Sequence, residues 1–481
     1  MSAEGDALRA YGLVAIVAVL GSACTPAPPE AALDVPQPDG WADELAMAMP
    51  VDLNPEPNIL EVEFDAHVAD IEFLPGFATP AWTYGGTVPG PFLRAKVGDT
   101  VIVNFTNNLP EPTSIHWHGM RVPNLMDGVP GVTQDPIAPG ETFRYEYVLQ
   151  DAGTFWYHPH VNSSAQVGWG MYGAILVEDP EDSAAFGDDL VMVLSDISLD
   201  EIGTLLPADN GDEFGDLFGR EGSVLLVNGK VMPNLKARVG KPQRWRIINA
   251  ARARYYNVRM PDHRLTRLGG DQGLAAQSAD VHSVVVVPGE RADLVFTPQG
   301  EPDSVDLLQW VPVDRGFASM FNRPREPMLD IEVVDLPPVT PAPIPVELKQ
   351  VEPLDLTGAI EQTLAMTIDP DMTDGVVMGI NGIPYWNVEP IEARVGETHI
   401  WHLVNDTTFA HPFHLHGYFF QVLDDERVPE WKDTVDLPAE SDLRIAVRFD
   451  ERPGGWMYHC HILDHAESGM MGLVRVAPAG G

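Results

Sequence analysis

The sequence predicts an all-β fold of three Greek-key β-sandwich domains, and three observations carry that expectation. A strand–turn–strand pattern occurs three times, its turn glycines Gly98, Gly240 and Gly396 standing 142 and 156 residues apart by subtraction of their numbers. That spacing fits whole homologous domains and is far too long for a solenoid repeat. Within each copy apolar residues alternate over short runs, as in Val101, Val103 and Phe105 or Trp245 and Ile247, the signature of half-buried strands. Long helical periodicity is scarce, while 43 glycines and 44 prolines punctuate the chain, which favours sandwiches over helical architectures.

At the N-terminus Arg9 precedes a short apolar run, Tyr11 to Leu20, and the small residues Gly21, Ser22 and Ala23. The run falls short of the roughly 20 residues that a spanning helix needs, so residues 1–23 read as an export signal. Cys24 opens a proline-rich stretch, and together they resemble a bacterial lipoprotein signal with an acylated cysteine and a flexible tether over 24–50. Acylation and simple cleavage both stay open, because Gly21 stands where a larger aliphatic residue is usual. The expected location is outside the cytoplasm, periplasmic or at the cell surface, with membrane attachment if Cys24 is acylated.

The first repeat, Val88 to Asn108, places a domain over 51–182. The second, Val227 to Asn249, places one over 183–336, and the third, Ile380 to Asn405, one over 351–481. A further shared element, Ala138-Pro-Gly-Glu-Thr, returns as Val287-Pro-Gly-Glu-Arg and as Leu437-Pro-Ala-Glu-Ser. The proline-rich stretch from Pro337 reads as a linker over 337–350, and the acidic segment Asp200 to Glu221 as a surface insertion.

With 481 residues at 44% hydrophobic composition the chain exceeds what one core usually holds. Its 29 basic and 71 acidic residues give a net charge of −42, which repels phosphate backbones and excludes nucleic acid as a partner while favouring the approach of cations. The only cysteines, Cys24 and Cys460, are too far apart in sequence and context to form a disulfide framework.

Fifteen histidines scattered at random would give roughly one His-x-His pair or fewer. The chain has four, His116/His118, His158/His160, His414/His416 and His459/His461. Residues two apart on a strand share a face, so each pair offers two imidazoles to one site, and imidazole suits copper, zinc, iron and nickel. Two pairs fall in the first domain and two in the third, so a metal cluster is expected where those domains meet. Cys460 lies between His459 and His461 and must face the other way. With His411 and His465 it forms a His2Cys set, and Met470 lies where the weak axial ligand of a blue-copper site would fall, unless it is only a core filler. His67, His263, His282, His399 and His402 lack ligand spacing and read as ordinary surface or core residues.

These motifs, His116-Trp-His-Gly, His158-Pro-His, His411-Pro-Phe-His-Leu-His-Gly and His459-Cys-His, resemble those of the three-domain multicopper oxidases, which include laccases, bilirubin oxidases and bacterial metal oxidases. The resemblance covers nearly everything after the signal region and implies three cupredoxin domains, the middle one without copper ligands. It implies four copper ions. Type 1 would be held by His411, Cys460, His465 and Met470, and type 2 by His116 and His414. One type 3 ion would take His118, His158 and His461, and the other His160, His416 and His459. It further implies a monomer that oxidises a small reducing substrate at type 1, passes electrons through Cys460 and its neighbours His459 and His461, and reduces O2 to water. Asp127 matches the family's carboxylate near type 2. A second relay acid usually stands three or six residues after the cysteine, where this chain has Leu463 and Ala466; Asp464 and Glu467 are offset by one, which on a strand reverses their facing.

Rival readings are a copper-free envelope protein on the same fold, a copper nitrite reductase and a copper store. The complete ligand set argues against all three. The 17 methionines form no dense cluster, which leans towards laccase-like phenolic or aromatic donors, whereas the acidity leans towards Cu(I), Fe(II) or Mn(II).

Overall fold

The computed structural model describes residues 34–179, 182–316, 323–369, 371, 373, 375–424 and 427–480. The signal segment 1–23, Cys24 and the tether up to residue 33 lie outside the described residues. In each repeat the turn glycine, at φ +94, +78 or +95, adopts a backbone that L side chains rarely reach. It separates strand Gly90–Lys96 from Thr100–Asn107, Asn234–Ala237 from Gln243–Asn249, and Ile391–Arg394 from Thr398–Asn405. The two strands either side of each turn enter different sheets, so the glycine is the point at which the chain crosses from one layer of a sandwich to the other.

The second strand of each repeat then makes the same two pairings. It runs parallel to the strand that opens its domain, Ile59–Leu74, Asp188–Ile197 or Ile360–Ile368. It runs antiparallel to the strand of the shared Pro-containing element, Thr142–Val148, Arg291–Phe296 or Ser441–Arg448. Three equivalent Greek-key sandwiches result, of four plus four, six plus five and five plus five strands among the described residues, as the alternation predicts. Each core draws on both of its layers: Val103 and Tyr145 meet Trp117 and Ile175, Trp245 meets Leu308 and Ile331, and Trp401 meets Phe413 and Trp456. An apolar seam of Trp156, Ala174 and Leu176 against Val191, Val193 and Ile248 joins the first and second sandwiches.

Three short helices matter for the site: α1 (Ser163–Gly168), α2 (Asp212–Phe218) and α3 (Leu463–Glu467). Two expectations need correction. The part of the tether from residue 34 on is docked, because it carries apolar anchors: Leu45 is buried in the middle core, its carbonyl accepts from Asn228 Nδ2 at 2.7 Å, and Trp41 O accepts from Lys236 N at 2.8 Å. The acidic insertion is more than surface. It contains α2, whose inner side lies on α3, and near its end it carries Arg220, which is buried.

Candidate metal centre

Strand register brings the histidine pairs together. His116–His118 pairs with Gly153–His158 so that His116 opposes His158, and His411–Leu415 pairs with Gly454–Cys460 so that His414 opposes His459 and Phe413 opposes Cys460. The two ribbons face each other: the rings of His116 and His416 stack at 3.9 Å and those of His118 and His414 at 3.8 Å. Nitrogens of three groups, His116/His118/His414, His118/His158/His461 and His160/His416/His459, lie within 4.8 Å of one another. All of these residues are buried except His160, which is partly so.

Hydrogen bonds fix which nitrogen faces inward in six of the eight rings. Nδ1–H donates to a backbone carbonyl in His116 (Asp127 O, 2.8 Å), His158 (Pro159 O, 2.9 Å), His414 (Asp433 O, 2.9 Å) and His459 (Cys460 O, 2.8 Å). His416 Nδ1–H donates to Asp127 Oδ2 at 2.9 Å, and His118 uses Nε2–H, towards Asp433 Oδ1 at 3.2 Å. Carbonyls and carboxylates only accept, so the remaining nitrogen of each of these rings carries a lone pair. Those of His116, His118, His158 and His414, and both of His461, are buried without a hydrogen-bond partner.

Burial also holds the rings neutral, pushing His118, His158, His416, His459 and His461 well below the usual imidazole range and His160 down to about 3. His416 Nε2 and His459 Nε2 thus meet at 3.1 Å, lone pair to lone pair. With both outer nitrogens donating, no hydrogen bond forms there, and a shared cation would turn the repulsion into coordination. Nitrogens about 2.0–2.1 Å from one ion span that kind of distance. The donor set fits a metal that takes imidazole.

Cys460 Sγ faces the opposite way, 3.6 Å from His411 Nδ1 and 3.5 Å from His465 Nδ1, which are 3.1 Å apart. His465 Nε2–H donates to Leu217 O of α2 at 3.1 Å and His411 Nε2 bonds Thr407 Oγ1 at 2.9 Å, so here too the Nδ1 lone pairs converge. Burial pushes the thiol well up and His465 down to about 3. A neutral thiol among neutral imidazoles fits a cation that binds as it displaces the thiol proton. Met470 is fully buried, with its carbonyl accepting from Cys460 N and its N–H donating to His465 O.

Asp127 is buried with Oδ2 at 2.9 Å and Oδ1 at 3.3 Å from Nδ1 of His416 and His116. Burial opposes its ionisation, but the two imidazoles more than offset this and hold the carboxyl well below its usual range. Gly128, at φ +80, lets the loop pass so close to Ile115 that a Cβ would lie 1.8 Å from its carbonyl oxygen. The strand argument about Asp464 and Glu467 is corrected: both sit on α3, where an offset of one does not invert facing. They are occupied in cross-links instead. Asp464 accepts from Ser164 Oγ, Arg220 N and Nη1 and Arg252 Nη2, and Glu467 from Ser163 N and Oγ.

His67, His263, His399 and His402 pair with Asp65, Asp306, Glu397 and Asp442 away from the cluster, and His282 is exposed. Sequence reasoning missed Asp433, Gln272 and Arg291. One signal was available for the last: the shared element carries Thr142 and Ser441 in the outer domains but arginine in the middle one.

Comparison with known proteins agrees with this chemistry. Family profiles described as multicopper oxidase match residues 66–182, 199–305 and 353–480. Multicopper oxidase MmcO of Mycobacterium tuberculosis is 31% identical over 428 residues, covering 81% of each chain. The laccase of Bacillus subtilis is 27% identical over 468 residues, covering 82% of this chain and 89% of the relative. A Campylobacter jejuni structure described as a multicopper oxidase and metallo-oxidase superposes with a TM-score of 0.81 at 27% identity, over 94% of this chain and 96% of the other.

Because folding brings lone pairs face to face, metal removal is expected to destabilise the chain. Adding copper to the metal-free protein should raise its thermal midpoint in proportion to occupancy, and mutating Cys460 and the paired histidines should remove that gain. A midpoint that does not respond to copper in calorimetry would contradict the reading of these nitrogens as ligands.

Proposed function

The chain belongs to the multicopper oxidase family, copper enzymes that couple oxidation of a reducing substrate to reduction of oxygen, and from that premise we propose how its residues divide the work. One copper of type 1 would be held by His411, Cys460, His465 and Met470, one of type 2 by His116 and His414, and two of type 3 by His118, His158 and His461 and by His160, His416 and His459. Bound there, copper supplies one-electron transfer at the first site and a place for O2 to take up four electrons and four protons at the others. Cys460 and its neighbours His459 and His461 link the two sites through a few covalent bonds of one strand end. Every ligand comes from this single chain, which supports a monomer as the working unit. Export, with or without acylation of Cys24, remains part of the proposal.

We assign the donor side to His465. Its outer edge is covered, Nε2–H being bonded to Leu217 O, and the ring of Phe409 lies 5.7 Å from its own, with that of Phe218 a further 5.7 Å from Phe409. A cleft of about 700 Å³ beside α2 and α3 is lined by Asp209, Asp212, Glu213, Asp216 and Glu467, and by Arg220 and Arg252, whose charges are matched by Asp464. A phenol cannot reach a buried imidazole edge, whereas a small cation can dock on the acidic outer side of α2 and pass its electron inward. That covering is the observation that carries the choice of a reduced metal ion such as Fe(II), Cu(I) or Mn(II) over the laccase-like phenolic donor. The Campylobacter protein's description as a metallo-oxidase is in line with it.

Three outcomes are expected. Converting Asp212, Glu213 and Asp216 to their amides should lower kcat/KM for the metal ion by about 10-fold or more at low salt, with phenol oxidation unchanged. Replacing 212–218 by a short Gly-Ser loop should raise phenol oxidation. If the metal-ion rates do not change in the amide variant, or if wild type oxidises phenols faster than metal ions, the substrate assignment fails.

Cys460→Ser should abolish both the intense blue absorption and substrate oxidation, because only the thiolate gives that charge-transfer band; a blue, active variant would refute the type 1 assignment. Met470→Leu should keep the copper and raise the potential, and an unchanged redox titration would return Met470 to a packing role.

Asp127 combines two tasks in this proposal: it holds His416 and His116, and it assists proton delivery to oxygen. Asp127→Asn should keep its blue colour and be reduced by substrate, yet reoxidise slowly in air with a defect that grows as pH rises. Stopped-flow reoxidation at the wild-type rate across that range would remove the proton role.

A further inference from the structure

The middle domain supplies no copper ligand, yet its shared element is built into the wall of the cluster. Gly289 lies so close that a Cβ there would stand 2.8 Å from His461 Cδ2 and 3.0 Å from His118 Cε1. Two residues on, Arg291 is fully buried and reaches both outer domains. Its Nε donates to Thr154 O of the first at 3.0 Å, and its Nη1 and Nη2 grip the two oxygens of Asp433 of the third at 2.8 and 2.5 Å.

Asp433 in turn holds two cluster histidines at once. Its carboxylate accepts from His118 Nε2 at 3.2 Å, and its backbone carbonyl accepts from His414 Nδ1 at 2.9 Å. The rings it holds are the stacked pair from opposite domains. The loop bearing Asp433 is fixed from the same side: Asp271 Oδ2 accepts from the backbone N–H of Asp433 and Thr434, its Oδ1 accepts from Arg291 N, and Gln272 Nε2 donates to Asp433 Oδ2 at 2.8 Å and to Gly119 O at 2.9 Å. The glycine of His116-Trp-His-Gly is needed here. A Cβ on Gly119 would fall 2.3 Å from Arg291 Nη2 and 2.7 Å from Asp433 Oδ2.

We propose that Arg291 and Asp433 are positioning residues for the trinuclear site, an interdomain clamp through which the ligand-free middle domain fixes the inward nitrogens of His118 and His414. The physical case has three steps. An imidazole presents a chosen nitrogen only if the other is held by an acceptor, and such outer partners tune metal retention strongly. A carboxylate can be that acceptor in a buried seam only if its own charge is matched, and a guanidinium fork matches both of its oxygens with fixed direction, which an ammonium cannot. Finally, the clamp joins all three domains at the point where the ligands of two of them must meet, so cluster assembly depends on the docking of the third.

The inference rests on the copper assignment above, and its test separates the two. Wild type, Arg291→Lys and Asp433→Asn would be loaded with copper and dialysed against EDTA, following total copper per chain, blue absorbance per chain and the electron paramagnetic resonance signal of type 2. The clamp predicts wild-type blue absorbance in both variants, with retention of the remaining coppers weakened by about 10–100-fold and the type 2 signal altered. Lysine should not rescue, since it restores the charge without the fork. Both variants retaining all copper with a wild-type type 2 signal would overturn the clamp. So would loss of the blue site in parallel with the cluster in both variants, which would mark a general folding role. Wild type that holds copper only at the blue site would instead refute the ligand assignment itself.

Discussion

Neutral imidazoles pressed together with their lone pairs inward, in a buried seam, are the constraint on which the rest of this structure depends. Left alone the arrangement is unfavourable, since buried acceptors without donors each cost of the order of 1–3 kcal/mol. It exists because six of the eight rings are held from behind, by the carbonyls of Asp127, Pro159, Asp433 and Cys460 and by the carboxylates of Asp127 and Asp433. The period of a β-strand puts the pairs on one face and Cys460 on the other, so two metal sites with different donors share one short backbone segment. The division of work proposed above, with electron entry at one site and oxygen reduction at the other, would follow from that alternation.

The domains that must meet are joined by buried charge as much as by apolar contact. The chain is strongly acidic overall, yet several of its arginines lie inside: Arg244 and Arg246 with Asp182 at the entry to the middle domain and with Asp189 and Asp293 inside it, Arg254 with Asp196 also inside it, and, between domains, Arg220 and Arg252 with Asp464 and Arg291 with Asp433. Such pairs add little net stability over apolar packing, but removing one partner costs about 3–5 kcal/mol. The pairs that cross between domains therefore specify how the parts dock. Asp464 shows the point: next to His465 on α3, it ties that helix to α1, to the end of the α2 segment and to the middle domain, so the cover over His465 is held by one carboxylate.

How much of this was legible in the sequence depended on range. The three sandwiches were readable because alternation, turn glycines and repeats are local, and the ligand pairs because two residues apart on a strand is a local relation. Arg291 and Asp433 are 142 residues apart, and nothing local marks a carboxylate that will meet a guanidinium from another domain. The segment Asp200–Glu221 reads as acidic and irregular; that it covers His465 depends on the placement of α3. For Asp464 and Glu467 the error lay in the secondary structure, since the run after His461 turns into a short helix where a continued strand was assumed. The tether misled in the opposite direction: prolines suggested freedom, while Trp41 and Leu45 dock it on the middle domain.

The most direct test of the account is anomalous diffraction at the copper absorption edge from crystals of the copper-loaded chain. The account predicts four copper peaks, one beside Cys460, His411 and His465 and three enclosed by the eight paired histidines. A single peak at Cys460 with none among the pairs, or a metal other than copper at either place, would contradict it.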